Sequence, residues 1–264
     1  MGSKHDILTE AELISYRINS NIDSEIEFFM SRHPELKPEE INILDWGCGR
    51  GRSVLKLREQ GFNAFGVDID LNTISNGFTL FEGRGLSPTR LLKHVCEVGC
   101  FEEGFFHIIF SEQVLEHVDD LTDVLGQIAR LTAPDGISIH SFPASKNIWE
   151  AHLCMPFVHW FPKNFTLKCW IAMMLLFSSG PKISWPEAKE KSFWGQAEVY
   201  YRYITEKTYY RDNNLIREEF KKCGLEAKYS ISGIKSHMSQ FLPDYLSRNG
   251  FPRGGVFFVA LKKY

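Results

Sequence analysis

The chain has 264 residues, which is long for one average domain but within the range of an α/β domain that carries an insertion. Its apolar fraction of 44% and its charged fraction of 24% exclude a disordered or fibrous protein. Because 30 Lys and Arg stand against 33 Asp and Glu, the formal net charge is only −3. The composition therefore lacks the basic excess on which nucleic-acid binding depends, and we predict no nucleic-acid partner.

The N-terminal segment, residues 1–39, is predicted to be helical, because Ile22, Ile26 and Phe29 recur on one face of a helix. We predict no signal peptide, since the chain begins with polar residues and no apolar run follows them. The six cysteines show no paired spacing. We therefore predict that the thiols are reduced and that the protein is cytoplasmic.

Short apolar runs then alternate with helical patterns. The runs that predict strands lie at 41–45, 63–68, 106–110, 136–142, 225–231 and 256–261. The helical patterns lie at 53–60, 72–81, 120–131 and 213–223. This alternation is typical of an α/β fold with a doubly wound, mostly parallel sheet.

The alternation stops at residues 143–210, a segment that holds five of the six tryptophans. We interpret this segment as an aromatic, helical insertion after the fifth strand, a lid on the substrate side of a single domain spanning residues 1–264. Tyrosines at 200–203 and 209–210 could line a pocket there or only cover the sheet.

Within the insertion, residues 165–177 (FTLKCWIAMMLLF) form an apolar stretch. As a helix it would be roughly 20 Å long at about 1.5 Å per residue, too short to cross a hydrocarbon core of about 30 Å. Three interpretations stay open. The helix could be a buried lid, a peripheral membrane contact that meets lipid-linked substrates, or a contact in a homodimer of an otherwise monomeric protein.

The strongest chemical signal is a glycine-rich turn at residues 43–51 (ILDWGCGRG). A strand runs into a GxGxG sequence, where the backbone can approach a ligand closely at the carboxyl edge of the sheet. Asp45 would repel a pyrophosphate there but suits a ligand with an ammonium group. Asp68 ends the next predicted strand, where a carboxylate can accept hydrogen bonds from both hydroxyls of a ribose. A ribose joined to a cationic amino-acid-like end describes S-adenosylmethionine.

Four motifs in register resemble those of the class I S-adenosylmethionine-dependent methyltransferases, in particular the bacterial group with a type 11 methyltransferase domain. The motifs are LDWGCGRG at 44–51, GVDI at 66–69, FHIIFSEQVLEHV at 106–118 and RLTAPDG at 130–136. The resemblance implies the Rossmann-like fold of that family, with a seven-stranded sheet, and S-adenosylmethionine as the cofactor.

The resemblance also implies which residues contact the cofactor. The turn after the first strand would hold the methionine part, the end of the second strand the ribose, and the segments beside it the adenine. The implied contacts are Asp45, Trp46, Gly47, Cys48 and Gly49 for the methionine part, Asp68 for the ribose, Ile69, Cys96 and Glu97 for the adenine, and Ser111, Glu112 and Gln113 for the sulfur side.

A hydroxyl acceptor needs a base when it attacks the sulfonium methyl group, and an imidazole can serve near pH 7. The candidates are His117, in the third motif, and His152 and His159, which follow the fifth strand. Each could instead be a structural histidine. The sequence thus predicts methyl transfer to oxygen of a small-molecule, glycan or lipid-linked acceptor. Transfer to nitrogen or carbon, or a partner subunit that binds the cofactor without turnover, remains open.

A metal site is not predicted. Some RNA-end methyltransferases and some quinone O-methyltransferases hold a divalent ion with a Glu-x-x-Glu-His run and a later His. In this chain the first position of the run is Gln113, and a neutral amide weakens such a site. His94, Cys96 and Cys100 resemble a loose zinc site, but no second group of ligands follows them.

Overall fold

Parallel strands alternate with helices along most of the chain. The computed structural model describes residues 7–143, 145, 149–150, 152–176, 185–231 and 255–262. Within these residues, one large sheet is flanked by two hydrophobic clusters, and a third cluster lies in the segment that follows the fifth strand. The predicted connection between the last two strands lies outside the described residues.

The strands, in chain order, alternate with helices up to the fifth. They are β1 (Asn42–Trp46), β2 (Asn63–Asp68), β3 (Leu92–His94), β4 (Phe106–Glu112), β5 (Thr132–Pro143), β6 (Trp149–Glu150), β7 (Met155–Pro156), β8 (Leu225–Ile231) and β9 (Gly255–Lys262). Seven of them form one sheet in the order β3-β2-β1-β4-β5-β9-β8. β1 to β5 run parallel, and β9 pairs antiparallel with both β5 and β8. The predicted seven-stranded, mostly parallel sheet is confirmed.

The central strands are buried on both faces, which explains their apolar sequences. Successive residues point to opposite sides of the sheet, so Ile43 and Ile108 join one hydrophobic cluster while Leu44 and Ile109 join the other. All four side chains are fully buried. Because β1, β2, β4 and β5 are parallel, their carboxyl ends share one edge of the sheet.

The helices lie between these strands and in the segment after β5. They are α1 (Glu10–Ser15), α2 (Ser20–Arg32), α3 (Arg52–Glu59), α4 (Leu71–Ser75), α5 (Phe78–Glu82), α6 (Pro88–Leu91), α7 (Leu121–Leu131), α8 (Phe165–Leu176), α9 (Pro186–Lys189), α10 (Phe193–Glu206) and α11 (Asn213–Lys222). The single helix predicted at 72–81 is wrong, because α4 and α5 are separated at Gly77. A Cβ at Gly77 would lie 2.1 Å from the carbonyl oxygen of Arg50, a close approach that only glycine allows.

Helix α2 packs on one face of the sheet, and its N-terminal end reaches the carboxyl edge. Ile22, Ile26 and Phe29 of α2 are buried in the first cluster, as their spacing predicts. Asn19, the residue that caps α2, donates a hydrogen bond of 2.9 Å to Glu112 at the end of β4. The segment before β1 therefore reaches the edge at which the strands end.

The segment after β5 has a hydrophobic cluster of its own. β6 and β7 pair as a short antiparallel ribbon, and α8 packs against α10. One face of α8 is buried through Leu167, Ile171 and Ala172, whereas Phe165 and Leu176 at its ends are each 69% exposed. Phe177, the last residue of the predicted helix, lies outside the described residues. None of the helices in the described ranges is both long enough and apolar enough to cross a membrane.

Candidate active site

The glycine-rich turn lies directly after β1, at the carboxyl edge. Gly47 has φ 89° and Gly49 has φ 53°, in the left-handed region that favours glycine. A Cβ at Gly47 would lie 2.3 Å from Cγ2 of Val114, so the segment after β4 packs directly on the turn. A Cβ at Gly49 would meet no atom closer than 3.8 Å, so the turn leaves room beside it for a ligand.

Asp45 places a carboxyl group at this edge with only 5% of the residue exposed. Burial raises its pKa to about 8, against the opposing effect of a hydrogen bond with Ser53. The negative charges of Glu112 and Asp68 raise the pKa further. A ligand with an ammonium group would supply the positive charge that this carboxylate needs when it ionises.

Asp68 lies at the end of β2, beside the turn. Its Oδ2 accepts a hydrogen bond of 2.8 Å from the backbone N–H of Gly49, and its Oδ1 accepts one of 2.9 Å from Asp70. These bonds fix the carboxylate at the edge, and each oxygen can accept a further hydrogen bond from a hydroxyl. The next side chain, Ile69, is 79% exposed, as expected of an apolar surface for an adenine ring.

Three other predicted contacts of the cofactor have buried side chains. Trp46 belongs to the second hydrophobic cluster and Cys48 to the first. The Ser111 hydroxyl is fully buried and lies 2.8 Å from Nδ1 of His140 on β5. At these positions the backbone, and not the side chain, is what faces the edge of the sheet.

The remaining predicted contacts lie around the same edge. Glu112 and Gln113 are exposed at the end of β4, and Gln113 has φ 55° with its N–H bonded to the carbonyl of Ser141 on β5. Cys96 and Glu97 are exposed in the 3₁₀ turn after β3. His94 links that turn to the adenine side, because its Nε2 lies 3.0 Å from the carbonyl oxygen of Ile69.

A second group of polar side chains lies beyond β4. The 3₁₀ turn Leu115–His117 follows Val114, which packs on Gly47, and carries Glu116. The sequence assigned no role to Glu116, and only 2% of the residue is exposed. Neither of its carboxylate oxygens meets a donor from another described residue at hydrogen-bond distance.

His117 and His152 approach Glu116 from two sides. The Nε2 of each imidazole lies 4.0 Å from Oε1 of Glu116, and the ring centroids of the two histidines are 5.1 Å apart. His117 comes from the turn after β4, whereas His152 comes from the segment between β6 and β7. The fold thus joins two predicted bases and one carboxylate in a single cluster, which we call the Glu116–His117–His152 cluster.

The outer nitrogen of each imidazole is held by a second partner. Nδ1 of His117 lies 2.6 Å from the carbonyl oxygen of Lys207, and Nδ1 of His152 lies 2.7 Å from Oε1 of Glu150. Because a carbonyl and a carboxylate can only accept, both Nδ1 atoms donate. Each neutral imidazole therefore presents an unprotonated Nε2 to Glu116.

Buried charge shapes the titration of this cluster. Burial raises the pKa of Glu116 to about 7 and lowers the pKa of His117. Burial also acts to lower the pKa of His152, but the hydrogen bond to Glu150 and the negative charges of Glu150 and Glu116 together outweigh burial, so the pKa is raised. Tyr210 donates a short hydrogen bond to Glu150, and the buried carboxylate raises the pKa of this phenol.

His159, the third predicted base, lies outside the cluster. Its ring contacts that of Tyr210 in a tilted arrangement, with 5.1 Å between centroids and 40° between the planes. Tyr210 therefore lies between His159 and Glu150. The sequence identified the imidazoles but did not assign roles to Glu116, Glu150 and Tyr210. The only available signal was their position, since Glu116 precedes His117 and Glu150 lies two residues before His152.

A family model described as "Methyltransferase domain" matches residues 16–213, which is most of the chain. The chain belongs to the methyltransferase-domain family. This family assignment agrees with the glycine-rich turn, the two edge carboxylates and the seven-stranded sheet. The resemblance seen in the sequence is thereby confirmed, and the cofactor of the domain is S-adenosylmethionine.

Similar curated proteins methylate different atoms. The chain is 28% identical over 99 residues to a sterol 4-C-methyltransferase of Caenorhabditis elegans, covering 37% of this chain and 30% of the relative. It is 26% identical over 129 residues to the ubiquinone biosynthesis O-methyltransferase of Rickettsia felis, covering 48% and 51%. It is 27% identical over 105 residues to the tRNA 5-carboxymethoxyuridine methyltransferase of Escherichia coli, covering 39% and 40%. The chain spans about half the length of these relatives or less.

Solved structures share the fold at low identity. Phosphoethanolamine N-methyltransferase 2 of Haemonchus contortus, in complex with S-adenosyl-L-methionine, superimposes with a TM-score of 0.51 at 14% identity, covering 91% of this chain and 53% of that one. The CurJ carbon methyltransferase superimposes with a TM-score of 0.51 at 13% identity, covering 94% and 54%. These likenesses concern the fold alone.

The residues at the carboxyl edge fit S-adenosylmethionine. The buried carboxyl of Asp45 suits its ammonium group, the open space at Gly49 admits its methionine chain, and the fixed carboxylate of Asp68 suits its ribose. When bound there, the cofactor supplies an electrophilic methyl group on a sulfonium ion. The segment that carries Glu116 and His117 packs on the same turn through Val114.

Proposed function

We propose that the chain transfers a methyl group from S-adenosylmethionine to an oxygen atom of a small-molecule, glycan or lipid-linked acceptor. The observation that carries this proposal is the Glu116–His117–His152 cluster beside the glycine-rich turn. When neutral, each imidazole presents an unprotonated Nε2, which is the form that can take a proton from a hydroxyl.

The surroundings of the cluster support an acceptor with a polar end. Glu150 and Tyr210 hold His152, and Tyr203 packs with its ring centroid 5.4 Å from that of His152. Tyr203 also packs against His117, which is itself exposed. A hydroxyl that enters would lose its proton more readily to a positioned imidazole than to bulk water.

Orientation is the other contribution that these residues would make. In-line displacement at the methyl group requires the acceptor oxygen to lie opposite the sulfur, and correct positioning supplies much of the rate enhancement in such reactions. Asp45 and Asp68 fix the donor side through β1 and β2, while the cluster fixes the acceptor side through β4 and the insertion. We propose the insertion, residues 143–210, as the part that selects the acceptor.

The test uses S-adenosylmethionine with a trideuterated methyl group and an extract of small metabolites. We expect release of S-adenosylhomocysteine and a labelled product whose methyl group is bonded to oxygen. The His152→Gln variant should turn over about 10²–10⁴ times more slowly and bind S-adenosylhomocysteine with unchanged affinity. His33→Gln, at the far end of α2, is the matched control and should behave as the parent chain.

Other outcomes discriminate between the alternatives. A labelled product methylated at nitrogen or carbon would contradict the assignment to oxygen. It would still show that the chain transfers a methyl group. Tight binding of S-adenosylhomocysteine without any labelled product, in extracts of lipids as well as of soluble metabolites, would favour a partner subunit that binds the cofactor without turnover.

A further inference from the structure

Three atoms with lone pairs point towards one another in the Glu116–His117–His152 cluster. The Nε2 atoms of both imidazoles and a carboxylate oxygen of Glu116 all lie within 4.8 Å of one another. The hydrogen bonds at Nδ1 leave each Nε2 as an acceptor, and an ionised carboxylate also only accepts. Such an arrangement lacks a positive partner at its centre.

Burial increases the free-energy cost of a carboxylate that has no positive partner. Glu116 is 98% buried, as only 2% of its surface is exposed, and neither oxygen meets a donor from another described residue at hydrogen-bond distance. A buried carboxylate is stable when it is paired, hydrogen-bonded or bound to a metal. The two imidazole nitrogens lie 4.0 Å from its Oε1, which is beyond a hydrogen bond.

The separations are somewhat wider than the coordination shell of a small divalent ion, so the side chains would have to close around it. Imidazole nitrogen binds Zn²⁺ at about 2.0–2.1 Å and carboxylate oxygen at about 2.0–2.2 Å, which places tetrahedral ligands roughly 3.4 Å apart. The observed distances of 4.0 Å need only small rotations of the side chains to reach that value. Two histidines and one glutamate are also a ligand set that leaves a fourth position open.

The outer partners of the histidines fit the same interpretation. Metal-binding imidazoles generally donate their second N–H to a backbone carbonyl or a carboxylate, which fixes the ring and increases its basicity. His117 has the carbonyl of Lys207 at 2.6 Å, and His152 has the carboxylate of Glu150 at 2.7 Å. Tyr210 in turn donates to Glu150 and holds that carboxylate in place.

We infer that Glu116, His117 and His152 bind a divalent transition-metal ion of the Zn²⁺ class, with a fourth position that faces the acceptor. This inference deepens the proposed function and rests on it for the role of the ion. The sequence predicted no metal, because Gln113 occupies the first position of the known run. His152, from the insertion, supplies a ligand that does not depend on Gln113.

The open position would take the oxygen of the acceptor hydroxyl. In the metal-bound site both Nε2 atoms are ligands and cannot act as bases, so the ion takes over that role. Coordination lowers the pKa of the hydroxyl, its proton leaves to water, and the oxygen carries the charge. That oxygen then forms the bond to the methyl carbon as the carbon–sulfur bond breaks, and the electron pair of that bond stays on sulfur. The reaction needs no oxidant or reductant, and the ion remains on the protein.

Cobalt is the probe for the site, because Co²⁺ replaces Zn²⁺ and absorbs visible light according to its coordination. The full chain is stripped with a chelator and titrated with Co²⁺, followed by competition with Zn²⁺. We expect one Co²⁺ per chain, a four- or five-coordinate spectrum, and displacement by Zn²⁺. Glu116→Gln and His152→Gln should each weaken Co²⁺ binding at least about tenfold, in the range seen for altered metal sites.

Two controls keep the result interpretable. His33→Gln removes an imidazole far from the cluster and should leave Co²⁺ binding unchanged, and His94→Gln tests the cysteine-containing turn after β3. Circular dichroism and binding of S-adenosylhomocysteine check that each variant is folded. Absence of a saturable Co²⁺ spectrum in the parent chain overturns the inference. Loss of binding in His94→Gln but not in Glu116→Gln also overturns it.

The Co²⁺ titration tests the metal site, and the labelled product tests the proposed function, so each can be contradicted without the other. If the stripped chain still methylates oxygen at full rate and binds no Co²⁺, the metal site is wrong and the proposed function stands. If Co²⁺ binds as expected but the labelled product is methylated at nitrogen, the metal site stands and the assignment to oxygen is wrong.

Discussion

Glu116 and His152 face each other at 4.0 Å between Oε1 and Nε2, although they lie on different parts of the fold. Glu116 follows β4 of the large sheet, and His152 lies between the two short strands of the insertion. The backbone holds the two parts together, because the N–H of Tyr209 donates to the carbonyl of Glu116 at 2.6 Å. The acceptor side of the site therefore depends on how the insertion docks on the sheet.

Asp68→Asn should weaken the binding of S-adenosylmethionine. The substitution keeps the shape of the side chain but turns one acceptor into an amide donor, which opposes the backbone N–H groups of Gly49 and Asp70. We expect a loss of about 1–3 kcal/mol in binding free energy, measured by calorimetry. Asp123→Asn, an exposed change on α7, is the matched control and should bind like the parent chain.

Asp45 should make the cofactor-free protein less stable as the pH rises. The pKa of Asp45 is raised from 3.8 to about 8 in the folded chain, so the folded state keeps a proton that the unfolded state has already lost. The penalty begins above about pH 4 and grows until about pH 8, where both states are ionised.

Asp45→Asn removes this titration, so its stability relative to the parent should increase with pH. Each pKa unit corresponds to about 1.4 kcal/mol, which gives a change of up to about 4 kcal/mol between about pH 5 and pH 8. Urea unfolding at several pH values measures it. Parallel pH profiles for the variant and the parent would contradict the buried, neutral state of Asp45.

Gly47→Ala should disrupt the turn that holds the cofactor. The new Cβ would lie 2.3 Å from Cγ2 of Val114. The alanine would also have to adopt φ 89°, which is unfavourable for a residue with a Cβ. We expect a loss of at least about 2 kcal/mol in the free energy of unfolding. Gly126→Ala in α7, where a Cβ meets nothing within 4 Å, should instead stabilise the chain by about 0.5–1 kcal/mol. Urea unfolding of both variants compares a constrained glycine with an unconstrained one.

Arg211→Ala should loosen the segment that carries Glu116 and His117. The guanidinium of Arg211 donates to the carbonyls of Val118 and Asp119 at 2.7 and 2.6 Å and reaches the carbonyl of Leu115 at 3.4 Å. Its loss should cost about 1–3 kcal/mol in stability, because the partly buried carbonyls of Leu115 and Val118 lose their charged donor.

Arg202→Ala is the matched control for Arg211. Arg202 pairs with Glu206 one helical turn away on the exposed face of α10, and such pairs contribute only about 0.3–0.5 kcal/mol. Thermal and urea unfolding of the two variants should differ accordingly. Equal stability of both variants would mean that Arg211 does not hold the segment after β4.

The parallel sheet and the position of the glycine-rich turn at its edge follow from local sequence. A strand that enters glycines, and an acid at the end of the next strand, specify a parallel sheet and its edge within a few residues. Asp45, Gly47, Gly49 and Asp68 are accordingly at the carboxyl edge, as predicted. The division of residues 72–81 into two helices was missed, because it depends on the carbonyl of Arg50 that approaches Gly77 from another segment.

By itself, the sequence determined the α/β sheet, the family and the two carboxylates at the edge of the sheet, because short-range periodicity and turn chemistry specify them. Only the tertiary structure decided what Ser111, Glu116 and His152 do. The register of β4 with β5 places the Ser111 hydroxyl on His140, inside the sheet. The docking of the insertion buries Glu116 and brings His152 to it across 36 positions of chain. Burial and long-range contact depend on the packing of whole elements, which no local pattern of residues encodes.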